Sequence, residues 1–158
     1  MAERDDLSGE FIAFRFHVKL FERDGGGAVL CQGAFSEVSG LEATMAPKAM
    51  KEGGRNWGEV QLAGPTSFAP VVLKRGVTAL GDLFAWFDAV TRGANYALRY
   101  SGVIEVFHPS RPDAPTLRWR LARVLPTRFK GPDLSATAAQ VAVEELHLVH
   151  EGLVLERP

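Results

Sequence analysis

Of the 158 residues only one is cysteine, Cys31. No disulfide can form within the chain, and a zinc site built on several thiolates is excluded. Long apolar runs are also missing: none approaches the ~20 residues needed to span a bilayer as a helix. Neither sign of charge is in surplus, with 18 basic and 19 acidic residues and a net charge of −1. That balance argues against a general nucleic-acid binder, which carries a basic excess. The first residues, Met1-Ala2-Glu3-Arg4-Asp5-Asp6, lack the basic-then-apolar layout of a signal peptide. The expectation from these absences is a soluble protein assembled in the cytoplasm, with no membrane anchor and no specific nucleic-acid binding. What the chain does have is core material. Apolar residues make up 46% of it and recur along nearly its whole length, so disorder is excluded. A chain of this size buries roughly two-thirds of its unfolded surface in one domain.

Residues 1–10 read as a polar, flexible tail, and 11–158 as a single domain. Ile12, Phe14, Phe16, Val18 and Leu20 alternate with Ala13, Arg15, His17 and Lys19, the period of two of a half-buried strand. Asp24-Gly25-Gly26-Gly27 supplies a turn. A second apolar stretch, Ala28 to Leu41, is interrupted by Gly33 and Gly40 and predicts a bent or bulged strand pairing with the first as a hairpin. Residues 42–56 have no sustained period and read as a loop or an extended arm. Strand signals return over 57–62 and again from Phe68 to Lys74, where Pro70 removes a ladder donor. One helix is predicted, with Thr78 as N-cap, Asp82 in the first turn and Gly93 at its end. Leu80, Leu83, Phe84, Phe87 and Val90 form its apolar face. Trp86 falls off that stripe, to be covered by a loop or by another subunit. Further strands are predicted over Ala97–Phe107, from Leu117 with a bulge near Arg123-Val124, and over Val141–Val149. The tally is six to eight strands and one helix. The fold class is therefore mainly β, two packed antiparallel β-sheets forming a sandwich or barrel with one flanking α-helix.

No catalytic constellation emerges. His147 and His150 stand three apart, so in a strand their imidazoles point to opposite faces and cannot share an ion. Glu144 and Glu145 diverge for the same reason. Gly25-Gly26-Gly27 precedes no helix and no Lys-Ser or Lys-Thr, which argues against a phosphate-cradling loop. Cys31 reads as a small buried hydrophobe. Catalytic residues, metal ligands and cofactors are therefore expected to be absent.

Two distributions stand out. In the last strand Val141, Val143 and Val149 occupy one row and Ala142, Leu146 and Leu148 the other. Such a strand is either central within one domain or half-covered by a partner. Charge is segregated as well: residues 111–130 carry a net +5 and residues 131–158 a net −4. The bands are either solvated faces or surfaces by which one copy meets the next. Arg118, Arg120, Arg123, Glu144 and Glu145 are the candidate charged subunit contacts.

Several short runs, in order, resemble the tail-tube proteins of contractile phages and of related phage-tail-like contractile injection systems. They are Phe35-Ser36-Glu37-Val38-Ser39-Gly40-Leu41-Glu42, Lys51-Glu52-Gly53-Gly54, Leu73-Lys74-Arg75-Gly76-Val77-Thr78, Gly102-Val103-Ile104, Pro126-Thr127-Arg128-Phe129-Lys130-Gly131-Pro132 and the segment Val143 to Leu153. The resemblance spans about Phe14 to Leu153. It implies two packed β-sheets with a flanking helix, and a structural, non-enzymatic subunit. It further implies homo-hexameric rings that stack into a rigid tube, driven through a target envelope when a sheath contracts. Implied partners are further copies of the chain and the sheath, baseplate and spike proteins of the particle. Lys51, Glu52, Gly53, Gly54 and Arg55 would belong to the loop reaching a neighbouring ring.

The chain departs from the family where an aromatic commonly precedes an Arg-Glu-Gly-Gly run and here Met50-Lys51-Glu52-Gly53-Gly54 stands. Where Leu-Pro-Gly is usual it reads Leu62-Ala63-Gly64-Pro65. These differences favour an alternative, the tube-initiating or adaptor ring that joins tube to spike and baseplate. A remote alternative is a ligand-binding or enzymatic β-barrel.

Overall fold

The computed structural model describes residues 15–23, 26–77, 81–93, 99–137 and 141–158. β1 (Arg15–Arg23) and β2 (Gly26–Ala34) form the expected antiparallel hairpin, with a bulge beside Phe21. Val18 and Leu20 are buried, while Arg15 and His17 before them are exposed. The chain then crosses to a short β3 (Glu37–Ser39) and enters four three-residue strands: β4 (Ala43–Met45), β5 (Lys48–Met50), β6 (Val60–Leu62) and β7 (Thr66–Phe68). It returns through β8 (Val71–Gly76), helix α1 (Asp82–Arg92), β9 (Tyr100–Phe107), β10 (Leu117–Lys130), β11 (Val143–Val149) and β12 (Gly152–Glu156).

The main sheet runs β2-β1-β9-β10-β11-β8-β3, with β12 also on β10. The fourteen-residue β10 is what makes two layers from one sheet. Its first half lies between β9 and β12, and its second half pairs with β11. The bend sits at Arg123, whose φ of 51° is the one positive value among the described non-glycine residues. The ladder to β9 slips between Leu121 and Val124, at the bulge that the broken alternation predicts. Val18, Leu20, Ile104 and Leu121 of one layer meet Val71, Leu73, Leu146 and Leu148 of the other in a single core. At about 1.5–3 kcal/mol for each buried aliphatic side chain, this core is the main source of stability.

Helix α1 closes the side of the core against β10 and β2. Two expectations about it change. Its buried residues are Leu83, Trp86 and Val90, whereas Phe84 stays half-exposed with its ring edge-on to Phe129, 5.4 Å away. The i, i+3, i+7 stripe is rotated so that Trp86, not Phe84, points inward, where its ring meets Tyr100 at 5.2 Å. Gly81, with φ of 59° and no side-chain cap, occupies the N-cap position. Thr78 and Leu80 lie outside the described residues, as do Ile12 to Phe14, the tail 1–10 and the Cys31 side chain.

β11, the strand with apolar residues in both rows, is central in the sheet but not buried on both faces. Leu146 and Leu148 are core residues, and Val141, Val143 and Val149 are exposed.

Candidate functional site

Residues 42–69 leave the core as a two-stranded arm. β4 pairs with β7 and β5 with β6, both antiparallel. The aperiodic sequence is explained by this placement: a ribbon with no layer beneath it has no inner face to mark. Its close pairing depends on Gly64, where an added Cβ would stand 1.8 Å from the Ala46 carbonyl oxygen. Registered pairs Met50–Val60 and Lys48–Leu62 share one face, and Met45, Met50 and Leu62 are exposed. The tip carries Lys51, Glu52, Gly53, Gly54 and Arg55, turned by the Arg55 amide donating to the Glu52 carbonyl and by Gly54 at φ 84°. Arg55 and Glu52 also pair at 3.8 Å. A Cβ at Gly53 would meet nothing within 4 Å. Beyond them Trp57 is 92% exposed. The sequence reads Trp57 as the start of a strand, but the ladder begins only at Val60. An exposed tryptophan is a strong marker of an interface, because its large apolar area has nothing of its own chain to cover it.

The arm's root is rigid. Gly40 has φ of 87°, and a Cβ there would lie 2.0 Å from the Pro70 carbonyl oxygen. His150, 8% exposed at the corner between β11 and β12, packs its ring 5.1 Å from that of Phe68. Its Nδ1 hydrogen-bonds the Gly152 carbonyl at 2.9 Å, and its Nε2 is buried without a partner among the described residues. Burial lowers the His150 pKa below its ordinary value, and the bond to Gly152 offsets this only in part. The unfolded chain therefore takes up a proton near pH 6.5 that the folded one refuses. Stability should be fully present above that pH, fall as pH drops below it, and level off beneath the folded pKa. His150→Asn keeps an N–H for the Gly152 carbonyl. In chemical denaturation at pH 7.5 and 5.5 it should lose less stability than the parent; equal losses would contradict the assignment.

The face of β1, β9, β10 and β12 turned away from the core is a shallow concavity of about 550 Å³. Its floor is Glu105, which Lys19 approaches at 2.8 Å and Arg118 at 3.4 Å. Burial pushes the Glu105 pKa up, but hydrogen bonds and charge from Lys19 and Arg118 outweigh this and hold it below the usual carboxylate range. Arg120 pairs with Glu156 at 2.7 Å, and Arg123 pairs with Glu151. The segregated charge thus has a source within the chain: β10 lies antiparallel to β12, and Arg120 and Arg123 of the basic band meet Glu156 and Glu151 of the acidic one there. Glu145 bonds His147 on the outer face, and the His147 side lowers the Glu145 pKa. His147 and His150 accordingly serve different faces.

Glu144 is elsewhere. It is 5% exposed and accepts from Arg75 Nε at 2.6 Å. Arg75, 4% exposed, also pairs with Asp82 at the start of α1, and its guanidinium lies 5.4 Å from the Phe35 ring centroid. Burial would lower the Arg75 pKa, but Asp82 and Glu144 together raise it. Glu144 is therefore an internal ion-pair partner, not a surface contact. Among the described residues no three His, Cys, Asp or Glu side chains group to hold a metal, and no helix is long and apolar enough to cross a membrane.

The family model for the T4-like virus tail tube protein gp19 matches residues 12–154. The chain belongs to the T4-like tail tube protein family. It is thus a component of a phage tail or tail-like particle. A chain in the baseplate of the anti-feeding prophage, six-fold symmetrised, is 27% identical with a TM-score of 0.79; the match covers 96% of this chain and 98% of that one. A chain in the extended sheath–tube complex of the PVC extracellular contractile injection system is 19% identical with a TM-score of 0.78, covering 96% and 95%. An Hcp protein shares the fold at 12% identity and a TM-score of 0.56, covering 92% of each chain. No curated protein matches the sequence. Family and mainly β fold agree with what the sequence resemblance implies.

Proposed function

We propose that this tail tube protein is a structural, non-enzymatic subunit that forms hexameric rings, and that the rings stack into the rigid inner tube of a contractile injection system or phage tail. The observation that carries this reading is the arm: it contributes no residue to the core and holds Trp57 and two methionines in solvent. An isolated chain gains nothing from such a ribbon, whereas a stack covers it. Ring closure has a physical basis too. Among the described residues β2 and β12 each keep one unpaired edge, and an edge left open is an aggregation hazard unless another copy pairs with it. Joining β2 of one copy to β12 of the next turns the concave face with Lys19, Glu105, Arg118 and Arg120 toward a lumen. Sheath, baseplate and spike proteins are the partners of such a tube, with no membrane anchor and no specific nucleic-acid site.

A second reading, the initiating ring beside the baseplate, draws support from the 27% identity to a baseplate chain and from the Met50 and Ala63 departures. One experiment separates them. Negative-stain microscopy of the purified chain at rising concentration should give stacks of growing length for a repeating tube. Single or paired rings that never lengthen indicate the initiator, and particles without rings would sink both.

A further inference from the structure

The arm and a groove lie at opposite ends of the same strands. At one end of β8, Val71 directly follows the arm and is paired with Leu148, next to the His150 corner. At the other end, Gly76 pairs with Val143, and Lys130 of β10 pairs with Glu145. There a groove of about 350 Å³ opens, lined by Lys74, Lys130, Asp133, Val141, Val143 and Glu145. Val141 is 81% exposed, so the groove has an apolar wall that the described residues leave bare. Its volume exceeds that of an indole ring.

We propose that this groove receives the arm tip of a second copy, with the Trp57 indole seated against Val141 and Val143. The inference rests on the stacked-ring reading and names the two surfaces that meet. Three observations on this chain favour a second copy as the occupant. A projection at one end and a recess at the other make a head-to-tail contact, which on repetition gives an open stack and not a closed pair. A solvent-exposed tryptophan and a bare valine wall both gain from mutual burial, and tryptophan anchors in pockets dominate interface energy. Charges match as well. Arg55 and Glu59 stand two residues either side of Trp57, and Lys130 and Asp133 line the groove. One cation and one anion on each side permit two cross-pairs that steer register.

The test uses the full chain with Cys31→Ser. In that background Asn56→Cys, which leaves the Trp57 indole in place, and Val143→Cys are combined, and assembled material is treated with a short bis-maleimide. The expected result is a ladder of covalent oligomers on a denaturing gel, absent when Val143→Cys is exchanged for Val154→Cys on the opposite layer. Separately, Trp57→Ala should raise the concentration for half-maximal stacking about tenfold or more, the scale of an interface anchor, with an unchanged melting temperature. Stacks in the microscope without the Val143 ladder overturn the groove assignment and leave the stacking reading standing. Absence of rings and stacks in the parent chain overturns that reading and this inference with it.

Discussion

Arg75→Ala should remove about 3–5 kcal/mol of folding stability, the cost of leaving a buried carboxylate without its cation. Glu144, 5% exposed, receives its charge-assisted bond from Arg75. Asp82 would lose its ion pair with Arg75 in the same step, which weakens the tie between the start of α1 and β8. For a chain of this length the change corresponds to a drop in Tm on the order of 10 °C. The paired change Arg75→Met with Glu144→Leu removes both charges and keeps the volume, so it should recover most of the loss. Thermal melts of the three chains decide the matter. If Arg75→Ala melted within about 2 °C of the parent, the triad would be no more than a surface ion pair in energy.

The second large effect is on assembly, with folding spared. Gly64→Val places side-chain carbon where the Ala46 carbonyl oxygen already stands, 1.8 Å from the Cβ. The two halves of the arm must then separate, breaking the bond from the Ala46 amide to the Pro65 carbonyl at 3.1 Å. Because no residue of the arm is in the core, the main melting transition should move by no more than about 2 °C, as for other changes away from packed regions. Stacking should weaken on the order of a hundredfold or more, since an arm that loses its shape loses its anchor residues together. Sedimentation of the variant beside the parent reads both numbers. Stacking at parental concentrations would show that the arm is not the contact.

Much of this was legible in the residues. Period-two alternation from Phe16 to Leu20 marks β1, and the slip at Arg123 marks the bend that turns one sheet into two layers, because a bulge disturbs the pattern it interrupts. The motif series identifies the family. The arm was less legible, since a ribbon exposed on both faces leaves no periodic trace; an extended arm or a loop reads the same. Phe84 and Trp86 were exchanged because Leu83 and Val90 fit either stripe: Phe84 lies about 100° to one side of Leu83 and Trp86 about 60° to the other, and only the fold says which side faces the core. Glu144 illustrates a different limit. Its burial is set by Arg75, sixty-nine positions away, and adjacency to Glu145 carries no sign of it. The charge bands behave likewise: the excess of sign is visible in the sequence, but its satisfaction across β10 and β12 depends on a register that only the fold supplies.

The claim on which the rest depends is that six copies close into a ring. Native mass measurement of the full-length chain across a range of concentrations tests it most directly. The expected particle has six times the 17.2 kDa chain mass, followed at higher concentration by integer multiples of that ring. A single species at the mass of one chain throughout, or a closed dimer that grows no further, would contradict it.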